Sequence, residues 1–197
     1  MKRLLIATAN KAKAGELVDM IGMPGMEIKT LTDFPSVGMP PETGETFTEN
    51  ALIKARHAAA KTGMPSIADD SGLEVAALSG MPGVFSARYA GVNATDEENF
   101  LKLLEALKGV PMDKRQARFV CVIAFCAPAG PKAVFEGELK GMIAFGPKGK
   151  NGFGYDPVFF LPGQGKTVAE LKPEEKNLIS HRRMAIEKMR RWFAGHN

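Results

Sequence analysis

The chain has 197 residues, 45% of them hydrophobic and 24% charged, an ordinary soluble, globular composition with room for one sizeable domain or two modest lobes. No apolar run reaches the roughly 18 residues that a membrane-spanning helix needs, and the opening residues 1–8 carry too short an apolar core for a secretory signal. The net charge of +4 suits an anionic small molecule or weak nucleic-acid contact and selects neither.

Taken in order, residues 3–8 read as a first strand and Asn10 opens a helix with an apolar stripe of Ala14, Leu17, Val18 and Ile21. The link between them carries a hydroxyl, an amide and a cation in Thr8, Asn10 and Lys13. Free N–H groups and the positive dipole end make a helix start a phosphate site, and a first-turn lysine opposes that dipole unless an anion is bound. A plain N-cap with a solvated lysine is the competing reading. Residues 27–31 form a second expected strand and 35–41 a rigid loop. Thr46 and Glu49 form a capping box for a helix running to about Lys61, which carries Lys54 and His57. The box accounts for Glu49. Glu42, on the glycine-containing loop before it, has no such local task.

Residues 65–68 are a short bounded apolar run, expected to be a buried strand with Asp69 and Asp70 at its carboxyl end, then Ser71 and Gly72. In open α/β sheets that edge is where ligands bind. Two neighbouring acids repel, and a divalent cation with oxygen ligands is the cheapest remedy. The alternative is a Ser-Gly turn in which one aspartate caps a helix. Residues 80–83 are turn chemistry and 84–89 a short extended piece. Thr95 and Glu98 form a second capping box, opening an amphipathic helix through Phe100, Leu103, Leu104 and Leu107 that Gly109 closes.

Residues 117–127 and 133–139 read as paired strands about a Pro-Ala-Gly-Pro turn, the first central because it is apolar on both faces. Cys121 and Cys126 lie in that first run at an odd separation, hence on opposite faces, so neither a disulfide nor a metal pair follows and a reducing, cytoplasmic setting is expected. Residues 146–157 form a glycine-rich, basic, mobile loop ending in Phe153 and Tyr155, able to approach a ligand closely and stack on a base, or else a hairpin loop with core aromatics. Its spacing fits no P-loop, and no dinucleotide fingerprint follows the first strand. Residues 158–161 continue as a strand. Pro173 starts a short helix bearing Lys176, and Ser180 caps a last helix whose first turn holds His181 and Arg182. Ile186, Met189 and Phe193 share one face of it, with Met184 and Trp192 beside them.

Acids at Glu42, Asp69 and Asp70, with cations at Lys13, Lys54, Lys176 and Arg182, suit a metal-bound polyphosphate. No serine or cysteine nucleophile beside a histidine is visible, which makes metal-activated water the economical nucleophile.

Six stretches occur in register: Thr8-Ala-Asn-Lys-Ala-Lys13, Glu42-Thr-Gly with Phe47-Thr-Glu-Asn-Ala51, Ala68-Asp-Asp-Ser-Gly72, Ser86-Ala-Arg-Tyr-Ala-Gly91, Gly152-Phe-Gly-Tyr-Asp-Pro157 and Ser180-His-Arg182. In them the chain resembles the inosine/xanthosine triphosphate pyrophosphatases, the RdgB/HAM1 family of house-cleaning nucleotidases, from the first strand into the last helix. The resemblance implies one domain over residues 1–197, an elongated two-lobed α/β fold around a long mixed sheet, a site in the cleft between lobes, and a homodimer. It implies Mg²⁺-dependent cleavage of ITP, dITP and XTP between the α- and β-phosphates, with no nucleic-acid or membrane partner. Carried over by position, Thr8, Asn10 and Lys13 would hold the triphosphate, and Glu42 and Asp70 would bind Mg²⁺. Asp70 would also be the base for the attacking water, with Ser71 beside it. Asp69 would support the site and Lys54 contact phosphate. Phe153 would stack on the purine in a pocket shaped by Gly154, Tyr155 and Asp156, while Lys176, His181 and Arg182 read the base and its 6-keto oxygen. The rival readings are a nucleotide-binding or RNA-contacting module without chemistry, and a pyrophosphatase of the related Maf type. The His181-Arg182 pair counts against the second by resemblance.

Overall fold

The computed structural model describes residues 3–22 and 25–195. Met1 and Lys2, at the head of the first expected strand, lie outside the described residues.

In chain order the elements are β1 (Arg3–Ile6), α1 (Lys11–Ile21), β2 (Glu27–Thr30), α2 (Phe47–Thr62), β3 (Ser66–Val75), α3 (Asp96–Ala106), β4 (Gln116–Cys126), β5 (Lys132–Ile143), β6 (Phe159–Leu161), β7 (Lys166–Thr167), α4 (Pro173–Ile179) and α5 (His181–Gly195). The sheet order is β2-β1-β3-β4-β5-β6-β7, which puts the doubly apolar β4 in the middle, as its sequence predicts. β1 runs parallel to β2 and β3, whereas β5–β6 and β6–β7 are antiparallel, so the α/β sheet is mixed, as expected.

The chain condenses into two compact units, one from residues up to Asp70, 121–137 and 181 onward, the other from 71–120 and 138–180. In the first, Leu4, Ile6, Leu17, Ile21 and Ile67 pack with Ile123, Phe125, Ile186, Met189 and Phe193. In the second, Leu73, Val75, Phe100 and Leu103 pack with Phe119, Val158 and Phe159, and the Phe119 and Phe159 rings stack with centroids 4.3 Å apart. Both cysteines are buried and reduced. Among the described residues no helix is long and apolar enough to cross a membrane.

Three local expectations need correcting. β3 does not stop at the aspartates but continues to Val75, because Leu73 and Val75 resume inward burial beyond them. It is β1 that ends there: Ile6 pairs with Ile67, and the Ala7 N–H donates to the Ile67 carbonyl at 2.7 Å. Asp69 and Asp70 therefore lie just past the carboxyl end of the neighbouring strand, inside their own. Gly83–Arg88 is a 3-10 helix rather than an extended piece, since the Ser86 hydroxyl accepts from Leu73 N–H and donates to the Gly83 carbonyl three residues back. In α1 the buried stripe is Leu17, Met20 and Ile21, with Val18 turned outward.

One close approach sets where α5 begins. A Cβ on Gly137 of β5 would sit 2.1 Å from the His181 carbonyl oxygen and 2.6 Å from the Ala185 nitrogen, both backbone atoms that cannot swing aside. Gly137→Ala should therefore push α5 off the sheet and cost about 2 kcal/mol or more, read as a lower midpoint in urea unfolding. Gly146→Ala, where a Cβ meets nothing within 4 Å, should leave that midpoint unchanged.

Candidate active site

Successive side chains of a strand point to opposite faces, so the adjacent acids of β3 address different neighbours. Asp70 meets α2: Lys54 Nζ donates to Asp70 Oδ1 at 2.8 Å and to Glu42 Oε1 at 3.0 Å, gathering both carboxylates around one ammonium. The loop that brings Glu42 there is clamped by Asn50, whose side chain accepts from Gly44 N–H at 2.8 Å and donates to the Gly44 carbonyl at 3.3 Å. Glycine is required at that position, as a Cβ would lie 2.6 Å from Glu49 Cβ. The Thr46–Glu49 capping box then starts α2 as predicted.

Asp69 meets α1 and α5. Lys13 Nζ lies 3.1 Å from Asp69 Oδ2 and Arg182 Nη2 4.0 Å from it, while Arg182 Nη1 also pairs with Glu16. Each acid therefore has its own nearest ammonium, brought by a different helix. Asn10 caps α1, its side chain accepting from Lys13 N–H at 3.0 Å, and its own N–H donates to Thr8 Oγ1 at 3.3 Å. His181 and Arg182 are both buried in the first turn of α5.

Charge follows this geometry. Burial alone would raise the Asp69 carboxyl, but Lys13, Arg182 and Lys54 outweigh it and hold the group well below the usual carboxylate range. Burial pushes the Asp70 carboxyl upward against the pull of Lys54, and Glu42 adds to the rise. Burial opposes the Lys54 charge, yet Asp70, Asp69 and Glu42 more than restore it. The Cys121 thiol is pushed up to about 12 by burial, which leaves it inert as a nucleophile.

The second group of predicted residues gathers in the other unit. Gly152 and Gly154 both adopt positive φ, 79° and 63°, and fold the chain into a tight turn. Asp156 Oδ2 accepts from Phe153 N–H at 3.0 Å and from Lys176 Nζ at 2.7 Å. The same ammonium lies 4.4 Å from the centroid of the Phe153 ring, a cation–π contact that braces the aromatic. Tyr155 is buried, its hydroxyl donating to the Ser86 carbonyl at 2.8 Å, and Gly154 N–H donates to Asp96 Oδ2 at 2.7 Å. Ser71, half-buried, is the first residue of β3 in this unit.

The predicted residues thus divide between the two units. Thr8, Asn10, Lys13, Glu42, Lys54, Asp69, Asp70, His181 and Arg182 belong to the first unit, and Ser71, Phe153, Gly154, Tyr155, Asp156 and Lys176 to the second. Sequence reading passed over Glu16, Asn50 and Asp96. Glu16 stands three residues after Lys13, one helical turn along the same face, and that spacing was the available signal.

Glu42 and Asp70 could hold a metal. Among the described residues no group of three or more His, Cys, Asp or Glu side chains surrounds one point. Magnesium, however, commonly takes one or two carboxylates and fills its shell with water and substrate phosphates. Two carboxylates converging on one ammonium, with Asp70 raised by burial and by Glu42, fit that donor set.

Fold and site together define an α/β protein with two buried acids adjacent on a sheet strand, each paired with a lysine from a different helix. More particularly, the chain belongs to the Ham1 family, whose family model matches residues 4–192. It is 53% identical over 189 residues to the dITP/XTP pyrophosphatase of Geobacillus kaustophilus, covering 96% of this chain and 93% of that protein. The Shigella flexneri dITP/XTP pyrophosphatase is 51% identical, with 95% of each chain covered. The HAM1 protein structure from Coxiella burnetii superposes with a TM-score of 0.91 at 47% identity, covering 99% of this chain and 100% of that one.

The two aspartates carry opposite consequences for stability. The Asp69 value is depressed, so its contribution is complete above the ordinary carboxylate value near 3.8 and is lost as pH falls through the folded value. The Asp70 value is raised, so its ionisation costs the fold increasingly as pH rises through the folded value. Asp69→Asn should therefore lower the urea midpoint more than Asp70→Asn at neutral pH, and its deficit should narrow below about pH 4, as measured by circular dichroism.

Proposed function

We propose that this chain is a Mg²⁺-dependent nucleoside triphosphate pyrophosphohydrolase that converts ITP, dITP and XTP to the monophosphate and pyrophosphate, clearing them from the nucleotide pool. The observation that carries the reading is the Lys54 ammonium shared by Glu42 and Asp70, with Lys13 paired to the adjacent Asp69 on the same strand. It stands in a chain 53% identical to a dITP/XTP pyrophosphatase over almost its whole length.

In this reading Thr8, the Asn10-capped start of α1 and Lys13 hold the triphosphate, since N–H groups, dipole and ammonium all favour an anion there. Glu42 and Asp70 are the ligands of Mg²⁺, which when bound supplies charge neutralisation on the phosphate oxygens. Asp70 takes a proton from the attacking water, a role suited to a carboxyl whose proton affinity burial has raised, and Ser71 stands next to it in the strand. Water oxygen bonds to the α-phosphorus, the bond from that phosphorus to the α–β bridging oxygen breaks, and pyrophosphate leaves. Lys54 fixes the spacing of the two carboxylates. Asp69 keeps Lys13 in place.

Phe153 stacks on the purine in a pocket shaped by Gly154, Tyr155 and Asp156, and Lys176, His181 and Arg182 serve recognition of the base. Donors aimed at O6 are satisfied by hypoxanthine or xanthine and left unpaired by the amino group of adenine, a mismatch that discriminates by several orders of magnitude. Guanine shares the O6, so rejection of GTP should be weaker than rejection of ATP. The protein acts as a cytoplasmic homodimer in this reading, and light scattering on the purified chain checks its mass.

Anion-exchange analysis of reactions with Mg²⁺ and ITP, XTP, GTP, ATP or CTP, each with and without added inorganic pyrophosphatase, tests the activity. ITP and XTP should give monophosphate, with free phosphate only when pyrophosphatase is added, and Asp70→Asn should be folded and inactive. Diphosphate products, turnover of GTP equal to that of ITP, or salt-sensitive RNA binding without turnover would each defeat the assignment.

A further inference from the structure

We infer that Asp96 is a positioning residue for the purine, holding the Phe153 face ready to stack by pinning the backbone of Gly154. The inference rests on the proposal that Phe153 receives the base. Asp96 is the first residue of α3, and its Oδ2 accepts from Gly154 N–H at 2.7 Å across 58 positions of sequence. That distance lies at the short end of the range for N–H···O bonds, and a carboxylate is the stronger kind of acceptor for a peptide N–H.

The carboxylate is not needed to cap its own helix. Thr95 and Glu98 already do that reciprocally: Glu98 N–H donates to Thr95 Oγ1 at 3.2 Å, and Thr95 N–H to Glu98 Oε2 at 2.7 Å. The Asp96 side chain is thereby released to reach the turn. Three further ties on that turn fall beside Gly154 rather than on it. Phe153 N–H is held by Asp156, the Phe153 ring is braced by Lys176, and the Tyr155 hydroxyl is anchored on Ser86. Gly154 has φ of 63° and no side chain, so its peptide is the handle by which the crest of the turn can be gripped. Without that grip the Phe153 plane would have to be ordered by the nucleotide itself, and the cost would appear in binding and not in the chemical step.

Asp96→Ala removes the acceptor, and Asp96→Asn keeps an acceptor oxygen without the charge. Glu97→Ala, one residue on in the same exposed turn, removes an equal helix-end charge and serves as the matched control. For Asp96→Ala, KM for ITP and XTP should rise about tenfold with kcat within about twofold of wild type, the loss expected for one charge-assisted hydrogen bond. IMP binding by calorimetry should weaken equally, whereas competitive inhibition by inorganic pyrophosphate, which has no base, should be unchanged. Asp96→Asn should recover part of the loss, and Glu97→Ala should match wild type. An unchanged KM in Asp96→Ala, an equal rise in Glu97→Ala, or parallel weakening of pyrophosphate inhibition would overturn the inference. Wild-type protein that neither hydrolyses ITP nor binds IMP would overturn the functional reading as well, which separates the two failures.

Discussion

The first unit depends on how two buried aspartates, adjacent on one strand, are each neutralised. Asp69 and Asp70 are 2% and 7% exposed, and an ionised carboxylate so far from water costs several kcal/mol unless a cation meets it. Strand alternation turns them toward different nearest ammonium groups. Lys13 must come from α1 and Lys54 from α2, each helix docked closely enough for its ammonium to arrive within about hydrogen-bonding distance. The apolar contacts of α1 with the sheet, through Leu17 and Ile21, and the alanine-rich buried face of α2 make that approach possible. Packing and electrostatics therefore specify the same helix positions.

The second unit repeats the device on a smaller scale. Asp156 is buried, binds the Lys176 ammonium and simultaneously receives the Phe153 N–H, so one carboxylate sets both the cation and the aromatic above it. In each unit a lysine is held by an internal carboxylate rather than left to solvent. An ammonium held in this way loses little freedom when an anion or a ring arrives, which is the energetic advantage of a prearranged site. The glycines serve the same end. Gly44 lets the Glu42 loop close over α2, and Gly152 could not carry a Cβ, which would fall 2.0 Å from Asp156 Oδ2.

The conflict between local and tertiary demands is clearest at β3. A strand reading from residues 65–68 alone ends at the acids, because carboxylates normally mark the point where a chain leaves the core. Here the core resumes at Leu73 and Val75, and the acids are tolerated inside because lysines distant in sequence reach them. Residues 84–89 show the same limit. Their β-favouring side chains indicate an extended piece, and the Ser86 hydroxyl, bound to Leu73 and Gly83, winds them into a 3-10 turn.

The sequence by itself determined the features governed by near neighbours. Both capping boxes, the helices they open, the central place of β4, the Asn10 cap and the glycine turn before Tyr155 depend on spacings of a few residues, and spacing is what a sequence displays directly. Most of the candidate residues were also legible, because six short stretches hold them in a recognisable order, whereas Lys54 and Lys176 lie outside those stretches and Asp96 carried no local signal. Only the tertiary structure decided which of them meet: Lys54 shared between Glu42 and Asp70, Asp69 set against Lys13 and Arg182, Lys176 beneath Phe153, and Asp96 on Gly154. Those pairings join residues up to 113 positions apart, from Asp69 to Arg182. No local propensity encodes them, since they arise only when the burial of whole helix faces brings distant charges within reach.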